Sequence, residues 1–174
     1  MSASIPNIRT LYANVVQQIE SMLGHSPEKA ALRAERVSRW SVGEHHEHLA
    51  LTGLVIVKNL GVPLTIPAPH VNESPNMQGG MVLLMGRIPR GVAQSPDYVR
   101  PQPNPDPVAT KEKLKQYFNE FKLFEPRLNE LERYEGRFPH PVLGFFTIHE
   151  WFRLIEVHQR HHLDIVKDIE AAAK

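Results

Sequence analysis

The chain has 174 residues, and its 20 Lys and Arg against 19 Asp and Glu leave a formal net charge of +1. That balance argues against a strongly basic nucleic-acid binder and against an acidic disordered tail, and the length makes a single domain, residues 1–174, the expectation. With no cysteine there is no disulfide, thiolate-bound zinc, iron–sulfur cluster or Cys nucleophile, so any metal site must draw on the 10 His and on oxygen ligands.

The opening stretch Met-Ser-Ala-Ser-Ile-Pro-Asn has neither the basic nor the apolar region of a secretory leader, and the longest strictly apolar run, Met81 to Met85, is far short of a membrane span. Both observations point to a cytoplasmic protein that does not engage a membrane. Ile8, Leu11, Tyr12, Val15, Val16, Ile19, Met22 and Leu23 recur at spacings of three and four, which predicts a first helix from Pro6 to Leu23 ended by Gly24. Ser26-Pro27-Glu28 can start a further short turn of helix. Ser41-Val42-Gly43-Glu44 is a capping box that opens the second helix, carried by Leu49, Leu51, Leu54, Val55, Ile56 and Val57 and stopped near Leu60 by Gly61 and Pro63.

Between Gly61 and Pro107 the character changes, and ten of the 15 prolines fall there. Proline removes backbone donors, so the segment 61–109 is expected to be an extended crossover, with a helical turn or two at Met81–Met85. Its apolar Val82, Leu83, Leu84, Ile88 and Tyr98 argue that it packs over the body of the protein. The third helix is predicted from near Thr110, with Leu114, Phe118, Phe121, Phe124, Leu128 and Leu131 facing inward. Pro126 should kink or interrupt it near Lys122, and Gly136 and Pro139 should end it. A second capping box, Thr147-Ile148-His149-Glu150, opens a fourth helix that runs to about Ala172. No sustained period-two pattern suggests strands. The expected fold class is all-α, a four-helix bundle with a long proline-rich connection between helices two and three.

The helical wheel sorts the histidines. His158 and His162 lie in the middle of the fourth helix's apolar stripe, with Trp151, Leu154, Ile155, Ile165 and Ile169, and His161 lies at its edge. Residues four apart place their Cβ atoms roughly 5–6 Å from one another, a span that two imidazoles can close onto one cation. On the second helix His48 points inward beside Thr52 and Val55, His46 faces away, and His45 is borderline. Three neutral imidazoles converging across a core can hold a divalent ion and leave coordination positions open. The competing reading of each is a hydrogen-bonded core histidine, since i,i+4 pairs also arise by chance in a His-rich chain. His25, His45, His46 and His149 are read as solvated or as local hydrogen-bond formers. Glu44, one turn before His48, is a candidate to support it from behind. No Glu-x-x-His, His-Glu-x-x-His, phosphate-binding loop, nucleophile elbow or dinucleotide fingerprint is present.

Trp40-Ser41-Val42-Gly43-Glu44, followed by His48-Leu49, resembles the opening of helix two in the DinB-like superfamily. His140-Pro141-Val142-Leu143-Gly144, then Thr147, Glu150-Trp151 and His158 through His162, is similar to the second signature of that superfamily. The resemblance spans essentially the whole chain. It implies a four-helix bundle, often dimeric, with a three-histidine site for one divalent metal, usually zinc or nickel, with iron or manganese as further candidates. Carried over position by position, the ligands are His48, His158 and His162. It also implies a metal-dependent transferase using a low-molecular-weight thiol, or a hydrolase, acting on a small molecule. A non-catalytic metal- or small-molecule-binding protein on the same scaffold is the alternative. Trp40, Trp151 and the proline-rich segment are expected to wall the site. A homodimer is expected, with Leu11 and Leu54 as candidates for its surface.

Overall fold

The computed structural model describes residues 5–61, 70–91 and 94–173. Four long helices dominate: α1 (Ile8–Leu23), α3 (Val42–Gly61), α5 (Pro107–Lys122) and α7 (Ile148–Ala172), with a short α2 (Pro27–Ala30) between the first two. α3 packs on both α5 and α7, and α1 packs on the same two helices from the other side. Tyr12 of α1 stacks on Phe121 of α5 at 5.3 Å between ring centroids, and Phe121 meets Phe152 of α7 at 5.2 Å, so the aromatic centre of the core joins three of these helices. None of the described helices is long and apolar enough to cross a membrane.

The helix starts follow from their caps. Asn7 accepts from Thr10 N–H to begin α1. In the box before α3, Ser41 N–H donates to Glu44 at 2.6 Å while Glu44 N–H donates to Ser41 Oγ at 3.1 Å. Thr147 and Glu150 form the same reciprocal pair at the head of α7, which ends at Ala172 as its periodicity predicts. The third helix begins three residues earlier than Thr110, because Asp106 accepts from Val108 and Ala109 N–H and Pro107 suits the first turn. It stops at Lys122. A proline at 126 takes away the donor that the Lys122 carbonyl would need, and the chain breaks into a 3-10 turn (Glu125–Arg127) before α6 (Leu128–Arg133). The expected inward face survives the break: Phe121, Phe124, Leu128 and Leu131 are all buried.

Three expectations need correction. The chain is predominantly helical and not purely so, because Arg137–His140 (β1) and Gly144–Thr147 (β2) pair antiparallel, with Phe138 opposite Phe146. These strands are four residues long and one carries Pro139, too short and too interrupted to show a period of two. Leu11, expected on an outer surface, is wholly buried in the main core, and Leu54 packs partly buried against it. The helical turn or two expected at Met81–Met85 also begins four residues earlier. α4 spans Met77–Met85, capped by Asn76 at its start and by left-handed Gly86 at its end, and it lies against α7. Residues 62–69 and 92–93 of that crossover lie outside the described residues.

The motif His140 to Gly144 explains how α4 is held. His140 Nδ1 accepts from the N–H groups of Val142 and Leu143, closing the hairpin turn. Asn76 then docks on that turn, donating from its backbone to the Leu143 carbonyl at 2.9 Å and from its side chain to the Val142 carbonyl at 2.7 Å. Gly144 has φ +88°, and a Cβ there would stand 2.6 Å from Asn76 N. Only glycine fits that approach.

Candidate metal centre

α3 and α7 run side by side, and each turns one part of its buried face toward the other. Their contact brings His48, His158 and His162 together, with one ring nitrogen from each lying within 4.8 Å of the other two. His48 and His162 are buried and His158 keeps a partly exposed edge. Ring centroids are 4.7 Å apart for His48 with His162 and for His158 with His162, and 5.2 Å for His48 with His158. His48 Nε2 lies 3.3 Å from His158 Nε2. Two nitrogens on one tetrahedral zinc at ~2.0–2.1 Å would stand roughly 3.3–3.4 Å apart, so this pair already has the spacing of two ligands.

The electrostatics suit the same role. Burial pushes His158 and His162 well below the ordinary imidazole value, helped by the neighbouring histidines, and burial also lowers His48 against the raising effect of the Val99 carbonyl. All three are therefore neutral at pH 7, the state in which imidazole offers a lone pair. His48 is oriented from behind: its Nδ1 lies 2.8 Å from the Val99 carbonyl, which can only accept, so the proton sits on Nδ1 and Nε2 is free for a ligand. Val99 belongs to the crossover, in the 3-10 turn Asp97–Val99, and Ser95 Oγ approaches the same nitrogen at 3.4 Å. Trp40 covers the other side, with its ring 5.1 Å from His48 and stacked on His162 at 6.1 Å.

Several neighbours differ from expectation. His45 and His46 are not solvated: they are 2% and 3% exposed, and burial pushes both down to about 3. His46 does face away from the trio, and it stacks on His25 at 4.7 Å. A concavity of about 370 Å³ beside that pair is lined by His25, His46, Thr110 and Leu114, and by none of the three clustered histidines. His45 instead contacts His162 directly. Glu44 does not support His48, because its carboxylate caps Ser41 and pairs with Arg33 at 2.7 Å. Trp151 packs on Phe146 and His140 and donates to the Phe138 carbonyl, which makes it core and not a wall of the cluster. His149 is a hydrogen-bond former but not a local one, its Nε2 lying 2.6 Å from the Pro6 carbonyl 143 positions away.

Sequence reasoning missed Glu47. It is 2% exposed, accepts from Gln102 N–H at 2.7 Å and pairs with Lys113, so it clamps the end of the crossover onto α3 and α5. No local pattern marks it, since its partners lie 55 and 66 residues away.

The family model for the DinB superfamily matches residues 8–166, a span that takes in all three clustered histidines. Comparisons with curated proteins and with solved structures give no significant match.

Proposed function

We propose that this chain, which belongs to the DinB superfamily, is a divalent-metal-dependent enzyme whose ligands are His48, His158 and His162. On this reading α1, α3, α5 and α7 are the four helices of one DinB-like bundle over residues 1–174, with 61–109 as the crossover. The observation that carries the reading is the convergence of three neutral imidazoles from two helices, two of them already at ligand spacing. A divalent ion there, zinc or nickel first and iron or manganese next, supplies Lewis-acid activation of a water or thiol nucleophile. The chain's own contribution is to present unprotonated nitrogens, to fix the His48 ring with the Val99 carbonyl, and to exclude bulk water with Trp40 and the 95–99 stretch. Three protein ligands leave at least one coordination position open, the pattern of catalytic and not closed structural zinc. We therefore assign the reaction to a small-molecule transferase using a low-molecular-weight thiol, or to a hydrolase, in the cytoplasm and without nucleic acid or membrane.

Elemental analysis of protein purified without a His-tag tests the first half. Near-stoichiometric metal is expected in the wild type and in His46→Ala, and none in His158→Ala. Equal content in the two variants would remove the ligand assignment. Metal-loaded wild type and His162→Ala are then compared on thiol-plus-electrophile pairs and on small amides and esters. A wild-type rate no faster than that of the variant, with metal bound, identifies a binding protein and not an enzyme.

A further inference from the structure

A fourth histidine touches the cluster without belonging to it. His45 is 2% exposed and lies three residues before His48 on α3, and its Nδ1 is 2.9 Å from His162 Nδ1. At its other edge His45 Nε2 is 3.0 Å from Ser38 Oγ, an oxygen that also accepts from Trp40 N–H at 3.1 Å. We propose that His45 is a positioning residue: its Nδ1 accepts the Nδ1–H of His162, which commits His162 to offer Nε2 to the metal. The proposal rests on the metal-centre reading above and deepens it.

The direction of the bond follows from proton counting. A neutral imidazole carries one N–H and one lone pair. Were His45 the donor to His162 Nδ1, the single proton of His162 would occupy Nε2 and leave it no lone pair for a cation. With His45 as acceptor, its own proton lies on Nε2 and is donated to Ser38 Oγ, whose two acceptor positions are then filled by His45 and by Trp40 N–H. The ring N–H of His162 and the ring N–H of His45 then each have an acceptor. At a tetrahedral zinc a direct ligand role fits less well, since two nitrogens 2.9 Å apart would subtend only about 90° at an ion ~2.05 Å away, where a tetrahedral pair stands roughly 3.3 Å apart. His48 carries the same device, with the Val99 carbonyl in the place of His45. One ligand on each helix is thus locked in the Nδ1–H form, one by a backbone carbonyl and one by a second imidazole.

Groups that orient a metal-bound histidine are typically worth about 10–100-fold in affinity. Zinc affinity by chelator competition is measured on full-length wild type, His45→Ala, His45→Asn and His48→Ala, with thermal melts of the metal-free proteins as a check on folding. We expect His45→Ala to weaken zinc by about 10–100-fold. His45→Asn, whose amide oxygen falls near the lost Nδ1, should return to within a few-fold of wild type. On ¹⁵N-histidine-labelled wild type with zinc, His162 should be protonated at Nδ1 and metallated at Nε2, a readout that needs no variant to fold. Wild-type affinity in His45→Ala overturns the proposal, as does an Asn variant that melts normally yet binds as weakly as Ala, or a His162 metallated at Nδ1. Wild type that holds no zinc overturns the metal centre itself. Zinc lost in His48→Ala and kept in His45→Ala overturns only the role of His45.

Discussion

Imidazoles buried this tightly are held neutral, and that sets the acid limit of the protein. His45 and His46 are pushed down to about 3, chiefly by burial, and His158 and His162 are held well below the ordinary value for the same reason. In the unfolded chain all four return to near the unperturbed value of about 6.5. Below that pH the unfolded state binds more protons than the folded one, so stability is complete above about pH 6.5 and is lost as pH falls from there toward about 3. The urea midpoint of the metal-free protein should be level from pH 7 to 8 and fall progressively below about 6.5. Bound metal should be released on the same acid side, because protons compete for the same nitrogens. A midpoint unchanged between pH 7 and pH 4 would contradict this account. At this scale the sequence was informative about identity: the wheel picked His48, His158 and His162 from the ten histidines. It turned His46 away from the trio, as found, but did not register that both His45 and His46 are buried, because a wheel registers only the face turned to one core. α3 is buried around its whole first half, from Val42 to Ala50, and a buried histidine there has no apolar signature.

Between helices, α3 and α5 approach closely at Gly53, where a Cβ would stand 2.4 Å from the Tyr117 ring. Tyr117 is fully buried and takes a hydrogen bond from Gln159 at 2.7 Å, so it has no room to retreat. Gly53→Ala should therefore destabilise. Overpacking of this kind costs about 1–3 kcal/mol, against the roughly 1 kcal/mol that Ala gains over Gly within a helix. A lower urea midpoint, with the slope unchanged, is the expected result, and a raised midpoint would show that α3 and α5 can separate at little cost. The elements that sequence located best were those with chemistry at their ends. Both Ser/Thr–Glu capping boxes began helices where they stood, and Pro126 ended α5 at the carbonyl it deprives. The hairpin was invisible because its pairing rests on His140 accepting two turn amides and on Gly144 admitting Asn76, which are contacts and not periodicities.

For the whole molecule the issue is how the crossover is held to the helices. It is tied at several described places, among them Asn76 on the hairpin turn, Gly86, whose carbonyl accepts from Arg160 of α7, Arg90, which pairs with Asp168 of α7, and Gln102 with Val99 on α3 through Glu47 and His48. Arg160 is itself paired with Glu156, a carboxylate 1% exposed that also holds Arg153. Limited proteolysis should therefore spare the stretches 74–86 and 95–102 under native conditions, and metal should slow cutting near Val99 further by fixing His48. Cleavage of both stretches at the rate of the unfolded chain would mean the crossover is a tether. A homodimer remains our expectation, and light scattering should give about twice 19.8 kDa. Leu11 takes no part in it, being interior. A mass near 20 kDa across micromolar concentrations would count against the dimer.

What the sequence determined by itself was what depends on near neighbours: helix starts and stops, the apolar stripes, and the two spacings that put His158 beside His162 and set His48 on the inner face of another helix. These follow from 3.6 residues per turn and from the hydrogen-bonding needs of helix ends, both local properties. Only the tertiary structure decided which of the inward histidines meet and what each ring touches from behind. His48 finds Val99 across 51 positions and His162 finds His45 across 117, and no propensity reaches that far. Which histidines face inward can be read along each helix, but which of them meet is set by contacts across the fold.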